Sequence, residues 1–517
     1  MAIKGQDTSI VAVERFIEAT RDSGYKGTPS AVAELIDNAL QAGADYIVVN
    51  IDLVSDKAEE GIRLEVVDNG CGMSASTLQQ ALRFGGTTRF NDRRGLGRYG
   101  MGLPNSSLSQ ARRVDVHTWR SPRSVVTSFL DVDEIARGKI KSVPEPVRTR
   151  LPAKAEALGL HSGTIVTWSR CDRLDYSRPS TLVKRLLPFL GRVFRYFLWD
   201  GVQMQVNGEL VRPIDPLYLH EDSLVRGGRQ YERPFEYEVE IPLRGARDTA
   251  SGTIIVTFSE LPVESWHNLT NEEKDRQGIL KAAGVSVVRS GREVDYGWFF
   301  MGSKRKENYD DWWRCEVRFD PSLDEAFGIT HTKQQIRPLH ELLQILVPDL
   351  EATAKVLNRR VRRAHENIRT AQQSSHSEGL ASSKDHLLSP LVQRPSPSMQ
   401  KAVKDLQRLH PRISGLNQST TGVPRYVLVE GDKGDTRFFH SYFDGQQVVL
   451  ALNTDHPFYK KFYKPLSDRG DDMSVMLRRQ IDLVLLAAAR AEVSSGNEKA
   501  TSFLDEWSNV VAVFLQS

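Results

Sequence analysis

One predicted helix carries an acid and an amide whose chemistry could be used together. In the stretch from Pro29 to Asp45, Glu34 and Asn38 stand four residues apart beside an apolar stripe at helical spacing. A carboxylate can orient or deprotonate a water molecule, and an amide oxygen can ligate a divalent cation. In a single helix the same two residues are more often solvated polar positions. The rest of the sequence has to decide between these interpretations.

Local signals set the limits of this helix and predict a hairpin after it. Thr28 is expected to cap the helix N-terminus, Pro29 suits the first helical position, and Gly43 ends the helix. The runs YIVVNIDLV and IRLEVVD have strand composition, and we expect them to pair. Asp68 ends the second run and opens the motif DNGCGM, which taken alone is an ordinary turn.

A glycine- and arginine-rich segment, GGTTRFNDRRGLGRYGMG, follows further along the chain. Its GLGRYG fits the dinucleotide fingerprint G-x-G-x-x-G, but that fingerprint needs a preceding apolar strand, and RFNDRR is polar. The sequence contains no G-x-x-x-x-G-K-[ST] phosphate loop. Any phosphates must therefore be held differently, for example by backbone N–H groups of a glycine loop that leads into a helix.

Four signals stand in a fixed order: Glu34 with Asn38, the motif that begins at Asp68, the glycine-rich segment, and Gly163-Thr164. Together they resemble the GHKL ATPases, the superfamily of gyrase B subunits, ninety-kilodalton heat-shock chaperones, histidine kinases, MutL and MORC proteins. The resemblance covers about residues 10 to 172. It implies a domain of the Bergerat fold that uses ATP and Mg²⁺.

The resemblance also implies a role for individual residues. Glu34 is the general base, Asn38 is the magnesium ligand, and Asp37 supports the attacking water or the hydration shell of the metal. Asp68 accepts a hydrogen bond from the adenine amine, and Thr164 completes that pocket. The other residues implied in nucleotide binding are Gly70, Gly72, Met73, Gly97, Arg98, Tyr99, Gly100, Met101, Gly102 and Leu103.

Two further segments resemble mobile or sensing parts of the same superfamily. Residues 85–98 are glycine-rich and charged, and they resemble its lid. Lys333 lies in FGITHTKQQI, which resembles the THNKQ loop of MORC proteins. The resemblance implies that Lys333 reaches the terminal phosphate and acts as a catalytic residue by stabilising transition-state charge. This loop makes MORC the nearest branch and MutL the second, although the CW-type zinc finger and the MutL endonuclease motif are missing.

The order of predicted elements is that of an α+β protein. We expect a GHKL (Bergerat) α/β sandwich at 1–172, an S5-like transducer domain at 173–338, a helical extension at 339–372, a flexible linker at 373–422 and a small C-terminal α/β domain at 423–517. The run VQMQVNG is assigned to the second domain, and Pro188 predicts a kink or split in the helical stretch 181–200. The linker contains one candidate helix, MQKAVKDLQRL.

Composition narrows the class of protein. A chain of 517 residues with 40% hydrophobic and 26% charged residues fits a globular protein of several domains. No apolar run reaches the roughly 20 residues that span a bilayer, and the N-terminus lacks a signal-peptide core, so we expect a cytoplasmic protein without membrane contact. Three separated cysteines indicate neither a disulfide framework nor a zinc site.

The resemblance implies an ATPase. We expect a Mg-ATP-dependent switch that hydrolyses ATP to ADP and phosphate and forms a homodimer on ATP binding. We expect it to act on DNA or on partner proteins encoded in the same operon, and family analogy places it in prokaryotic DNA modification or antiviral (phage) defence. One alternative is a nucleotide-sensing scaffold with negligible turnover. Another is a nucleic-acid-binding protein in which the nucleotide is incidental.

Overall fold

The computed structural model describes residues 13–25, 27–55, 60–86, 100–243, 249–280, 282–329, 335–391, 395–410, 413, 425–431, 434–469, 471–496 and 498–515. The chain divides into two compact units, Met1–Arg359 and Arg360–Ser517. Both units contain helices and strands, and the predicted α+β class is confirmed. None of the helices in the described ranges is long and apolar enough to cross a membrane.

The first part of the larger unit is an eight-stranded sheet. Its strands are β1 (Tyr46–Ser55), β2 (Glu60–Asp68), β3 (Ala111–Trp119), β4 (Val126–Asp131), β5 (Val147–Arg148), β6 (Gly163–Cys171), β7 (Gln203–Val206) and β8 (Glu209–Leu210). Their order is β5-β4-β3-β6-β2-β1-β7-β8, with β1 and β7 parallel and the other neighbours antiparallel. β1 and β2 form the predicted hairpin, in which Asp68 pairs with Ile47.

The position of β7 differs from the prediction. This strand is the run VQMQVNG, and it pairs with β1 in the first sheet, from Tyr46 opposite Gln203 to Val49 opposite Val206. The sequence placed it in the second domain because it follows a long helical stretch. The reason for the difference is that β1 would otherwise leave its backbone groups unpaired at the sheet edge, and β7 satisfies them.

Helices cover this sheet, and helices and strands both contribute to its core. They are α1 (Val13–Ser23), α2 (Thr28–Gln41), α3 (Ala75–Ala81), α4 (Gly102–Leu108), α5 (Val132–Ala136), α6 (Ala153–Ala157), α7 (Pro179–Val193) and α8 (Arg195–Trp199). The apolar stripe of α2, including Val32, Leu35 and Ile36, is buried in the core cluster. Pro188 lies inside α7, which continues to Val193, so the split expected at Pro188 occurs at Phe194 instead.

The start of α2 is held by a distant residue. Gly27 is the N-cap, and the Thr28 side chain does not cap the helix as predicted. The Thr28 N–H donates to Oδ2 of Asp175 over 3.0 Å, and the Thr28 hydroxyl donates to Oε1 of Gln110 over 2.9 Å. A carboxylate near the positive end of a helix takes the place of the local cap. Gly43 does end the helix, with a φ of 75°.

The second part of the larger unit is a five-stranded sheet. Its strands are β9 (Arg229–Pro242), β10 (Thr249–Glu260), β11 (Val285–Arg289), β12 (Arg292–Gly297) and β13 (Trp313–Phe319), in the order β12-β11-β13-β10-β9. The accompanying helices are α9 (Val263–Trp266), α10 (Asn271–Arg276), α11 (Asp324–Phe327) and α12 (His340–Lys384). Leu342, Leu346 and Leu350 of α12 recur at helical spacing and are buried in the core of this sheet.

The smaller unit contains a three-stranded sheet, in the order β14-β16-β15. Its strands are β14 (Arg425–Gly431), β15 (Phe439–Phe443) and β16 (Gln447–Asn453), and its helices are α13 (Pro397–Leu409), α14 (Lys464–Asp468), α15 (Asp472–Ser495) and α16 (Glu498–Phe514). Leu428, Leu450 and Leu486 are buried in its core.

The structure differs from the prediction in the segment expected to be a linker. Helix α12 continues to Lys384, past the expected end at 372, and α13 forms at the predicted MQKAVKDLQRL. Glu378 of α12 accepts the N–H of Leu428 over 2.8 Å, and the Ser382 hydroxyl accepts that of Tyr426 over 3.1 Å. The helix therefore satisfies backbone groups of the edge strand β14, which explains why a Ser-rich sequence is ordered there.

Candidate functional site

Helix α2 places Glu34 inside the first domain, facing the beginning of α4. The Glu34 residue is only 3% exposed. A Cβ atom on Gly102, the first residue of α4, would lie 2.1 Å from its Oε1 atom. The carboxylate and the α4 backbone are thus in direct contact, and only glycine permits that approach. The two motifs that carry Glu34 and Gly102, far apart in sequence, meet at one point.

A tyrosine that the sequence reasoning did not single out binds the same carboxylate. Tyr25 precedes α2, is 5% exposed, and donates its hydroxyl to Glu34. Burial is the largest cause that raises the pKa of the Tyr25 hydroxyl, followed by the charge of Glu34, so this hydroxyl keeps its proton. An aromatic residue just before a helix carries no local sequence signal for this role.

Asp37, one helical turn after Glu34, forms a buried ion pair. It is fully buried, and its Oδ1 atom accepts a hydrogen bond from Nε of Arg292 over 2.8 Å. Arg292 begins β12 of the second sheet and is itself 4% exposed. The structure thus gives Asp37 a charged side-chain partner, and the supporting role toward water or metal that the resemblance implied stays a prediction.

Asn38 is the residue of α2 best placed to meet a ligand. It is half-buried, four residues after Glu34 and next to the buried Asp37. Its side-chain amide makes no hydrogen bond with any residue in the described ranges. Its oxygen can therefore serve as a ligand to a hard divalent cation without giving up a structural contact.

Asp68 lies at the end of β2 and forms a buried acceptor. It is 7% exposed, and its Oδ1 atom accepts the Gly70 N–H over 2.8 Å. Burial raises the pKa of Asp68 to about 6, while hydrogen bonds from the backbone of Gly70 and Thr164 act in the opposite direction. At neutral pH, above this pKa, the group is mostly an ionised carboxylate that is buried, which makes it a strong acceptor for an amine donor.

The loop after Asp68 needs glycine at one position for a steric reason. Gly72 has a φ of 64°, and a Cβ atom there would lie 2.0 Å from the carbonyl oxygen of Trp119. Any side chain would collide with the end of β3. Met73, the next residue, is partly buried against the core.

Two threonines on neighbouring strands complete this part of the site. The Thr118 hydroxyl accepts the N–H of Met73 over 2.8 Å and lies 3.1 Å from the Thr164 hydroxyl. Thr164 pairs with Asp68 across β6 and β2. The structure thus brings Asp68 and Thr164 together, and their role in an adenine pocket stays a prediction. Thr118 was missed, and its only signal was a polar residue among the buried positions of β3.

Some predicted site residues lie outside the described ranges. These are Gly97, Arg98, Tyr99 and Lys333. The segment that contains the first three is bounded by a backbone hydrogen bond, in which the Gly85 N–H donates to the Gly100 oxygen over 3.1 Å. Gly100 is followed directly by Met101, the N-cap of α4, and by Gly102 and Leu103, the first two residues of that helix.

The sequence comparisons agree with this geometry. The family described as histidine kinase-, DNA gyrase B-, and HSP90-like ATPase matches residues 25–159, the stretch that holds α2, the Asp68 loop and α4. Fold and site thus define the first domain as a GHKL ATPase domain, as predicted. Glu34, Asn38 and Asp68 all lie within the matched stretch.

Proteins from two branches of that superfamily are similar to part of this chain. The DNA mismatch repair protein MutL of Lactococcus lactis subsp. lactis (strain IL1403) is 29% identical over 142 residues, which are 26% of this chain and 20% of that protein. The human MORC family CW-type zinc finger protein 1 is 38% identical over 80 residues, 15% of this chain and 8% of that protein. Protein MICRORCHIDIA 5 of Arabidopsis thaliana is 32% identical over 105 residues, 20% and 14% of the two chains.

These matches confirm the predicted relation to MORC and MutL proteins. Each match covers 26% of this chain or less, and the matched stretch spans about a fifth of the MutL relative's length.

Proposed function

We propose that this protein is a conformational switch that binds Mg-ATP and hydrolyses it to ADP and phosphate. The observation that carries the proposal is the arrangement of Glu34, Asn38 and Asp68 within one GHKL ATPase domain. Each has the chemistry that one part of the nucleotide requires. The activity, substrates and partners given below for the whole chain are proposed as well.

The adenine end of the site is formed by Asp68 and the two threonines. An adenine amine donates hydrogen bonds, and the Asp68 carboxylate offers a buried acceptor. Thr164 and Thr118, whose hydroxyls are 3.1 Å apart, supply further polar groups beside it. This set of groups favours adenine over guanine, which presents a carbonyl oxygen where adenine presents the amine.

The phosphate end lies between α2 and the beginning of α4. The side-chain oxygen of Asn38 would hold Mg²⁺, which neutralises phosphate charge when it is bound. Glu34 would orient the attacking water and accept its proton. The glycine-rich segment that contains Gly97, Gly100 and Gly102 would bind phosphates through backbone N–H groups, and Lys333 would stabilise the transition state.

The switch itself would be a change in assembly. ATP binding would close the segment 85–98 over the nucleotide and favour a homodimer, and hydrolysis would release it. The relatives include proteins named for DNA mismatch repair, which supports DNA as a target. The exposed Arg359, Arg362 and Arg363 of α12 are candidate phosphate contacts.

We also propose that the protein is cytoplasmic, that it acts with partner proteins from the same operon, and that it works in prokaryotic DNA modification or antiviral defence. These three points follow from analogy with the family and not from a contact in the structure. Each can be tested separately from ATP hydrolysis, so a failure of one leaves the proposed ATPase activity standing.

One observation favours the second candidate function, a nucleotide-sensing scaffold with negligible turnover. The Glu34 carboxylate is deeply buried and already hydrogen-bonded by Tyr25. A general base must reach a water molecule, and a fully enclosed carboxylate does so only after a local rearrangement. A sensor would need the pocket but not this rearrangement.

The deciding experiment is phosphate release with Mg-ATP, together with ATP binding, for wild type and Glu34→Gln. A matched control is Glu65→Gln, which changes a half-buried glutamate on β2 that pairs with Lys154. The ATPase proposal predicts that Glu34→Gln abolishes turnover and retains binding, while Glu65→Gln leaves both turnover and binding unchanged. Binding without turnover in wild type would establish the sensor instead.

Assembly and DNA binding are tested separately. Light scattering at micromolar concentration should show a dimer with a non-hydrolysable ATP analogue, and a monomer under that condition would remove dimerisation from the proposal. DNA affinity should fall with added salt if the arginines contact phosphates. If it falls in the same way when Asp68→Asn has disabled the pocket, the nucleotide is incidental to DNA binding.

A further inference from the structure

Behind the Glu34 carboxylate, α2 is surrounded by buried polar groups that belong to two different domains. Tyr25 donates its hydroxyl to Glu34 on one side. Asp37, three residues further along the helix, accepts from Arg292 of β12 over 2.8 Å. Residues three apart lie on neighbouring positions of one helix surface. The helix segment that carries Glu34 is therefore held at two points close to that residue.

The contact with Arg292 connects the ATPase domain to the second sheet. Asp37 lies in the first domain, whereas Arg292 follows the turn between β11 and β12. The side chains of Arg292 and Asp37 are 5% and 0% exposed. A carboxylate this far from water is stable as a charge only with a cation beside it. The pair thus requires the β11–β12 turn to stay against α2.

The β12 side of this contact is itself fixed by further buried charges. Glu293, next to Arg292, binds Nε of Arg192 over 2.8 Å and Nη1 of Arg195 over 3.1 Å. Arg195 is fully buried and also binds Glu316 of β13 over 2.5 Å. Since α7 and α8 carry these arginines, a displacement of β12 would disturb several ion pairs at once.

We propose that Tyr25 and Arg292 are positioning residues for ATP hydrolysis: Tyr25 holds the Glu34 carboxylate, and Arg292, through Asp37, holds the helix segment that carries it. This inference rests on the proposed function of Glu34 as the general base. If Arg292 holds this helix segment, the reactivity of Glu34 depends on the position of the second sheet. The second domain then acts on catalysis through Arg292 as well as through any lysine that reaches the phosphate.

The first test is Tyr25→Phe, which removes only the hydroxyl. The matched control is Tyr218→Phe, because Tyr218 is 3% exposed and donates its hydroxyl to the Gln277 carbonyl oxygen over 2.6 Å in the second domain. We expect Tyr25→Phe to lower kcat about tenfold and to leave KM for ATP within about twofold of wild type. The control should leave both constants unchanged. An unchanged kcat in Tyr25→Phe, with Glu34→Gln inactive, would overturn the role of Tyr25.

The second test breaks the contact between the domains. Arg292→Gln leaves Asp37 buried without its cation and is expected to fold poorly, so the double variant Asp37→Asn/Arg292→Gln, which removes both charges, is measured with it. The matched control is the double variant Arg289→Gln/Asp324→Asn, which removes both charges of a second buried ion pair, because Arg289 binds Asp324 over 2.6 Å and stands at the other end of the same turn. We expect the folded Asp37→Asn/Arg292→Gln variant to bind ATP normally and to lose about tenfold or more in kcat.

The outcomes separate this inference from the proposed function. If Glu34→Gln retains full turnover, the role of Glu34 fails, and the positioning residues fail with it. If Glu34→Gln is inactive but the folded Asp37→Asn/Arg292→Gln variant keeps kcat close to that of wild type, only the inference about Arg292 is overturned. A similar loss of kcat in Arg289→Gln/Asp324→Asn would also overturn it, because the effect would then be general to the turn.

Discussion

Replacing Asp68 by asparagine should weaken ATP binding and, at the same time, stabilise the unliganded fold. The two effects have opposite signs because the ionised carboxylate strengthens the binding of ATP but lowers the stability of the unliganded fold. The introduced asparagine would keep an oxygen that can accept the Gly70 N–H, which now lies 2.8 Å from Oδ1 of Asp68. The substitution thus changes charge and leaves the shape of the loop nearly intact.

The expected loss of affinity follows from one hydrogen bond. A bond to a charged group contributes about 1.5 to 3 kcal/mol, and about 1.4 kcal/mol corresponds to a factor of ten. Asp68→Asn should therefore raise the Kd for ATP about 10- to 100-fold. The amide nitrogen could turn toward the adenine amine and add repulsion between two donors, which places the loss at the upper end of this range.

The expected gain in stability follows from the pKa of the carboxyl group. Burial raises the pKa of Asp68 from 3.8 to about 6, and each unit corresponds to about 1.36 kcal/mol, so the ionised group costs the fold about 3 kcal/mol. This cost begins as the pH rises above 3.8 and is complete above about 6. An asparagine amide in the same place loses about 1 kcal/mol of hydration, which leaves a net gain of about 1 to 2 kcal/mol at neutral pH.

The unliganded chain is unfolded with urea, and tryptophan fluorescence monitors the unfolding. The experiment is done at about pH 7.5 and at about pH 4.5, which lie on either side of the raised pKa of Asp68. ATP affinity is measured in parallel. Trp119 and Trp168, two of the eight tryptophans, are buried in the first domain and contribute to this signal. The advantage of Asp68→Asn should shrink at the lower pH, and Asp52→Asn on the exposed part of β1 should show neither effect. If Asp68→Asn is less stable at both pH values and loses affinity in proportion, the reasoning about this carboxylate is refuted.

Three further substitutions test other parts of the structure. Gly72→Ala should lower stability by about 2 to 4 kcal/mol in urea unfolding, because its Cβ would lie 2.0 Å from the Trp119 oxygen at a φ of 64°; a neutral result would contradict the close approach of the two backbones. Asn38→Ala should raise the Mg²⁺ concentration for half-maximal phosphate release about tenfold, and an unchanged Mg²⁺ titration would exclude it as the ligand. Asp385→Ala leaves the buried Arg490 without its carboxylate partner at 2.8 Å and should destabilise the smaller unit by about 3 to 5 kcal/mol, measured by hydrogen exchange of β14; exchange as slow as in wild type would count against the pair.

Local signals in the sequence were enough for the elements that carry the candidate site. The apolar stripe of α2, the strand that ends at Asp68 and the glycine that ends α2 follow from helix and strand periodicity and from turn chemistry, which act over a few residues. The order of the motifs then identified the GHKL ATPase domain, which the comparisons confirm. The roles of individual residues remain predictions.

Local sequence signals could not predict the contacts between residues that are far apart in the chain. Asp37 and Arg292 are 255 residues apart in the chain, Thr28 and Asp175 are 147 apart, and neither pair has a local pattern that connects its members. The hydroxyl of Tyr25 on Glu34 and the position of Thr118 beside Thr164 likewise depend on how elements pack. Strand β7 joined the first sheet for the same reason, since pairing at an edge is decided by which backbone groups lack partners.

The sequence by itself therefore determined the elements and the order of motifs on which the GHKL resemblance rests, because helix and strand periodicity and turn chemistry act locally along α2 and its neighbouring loops. Only the tertiary structure decided how the residues of the candidate site are held: Glu34 by Tyr25, and Asp37 by an arginine of the second sheet. The physical reason is that a buried charge must find its partner wherever the fold brings one, and sequence distance places no limit on that choice.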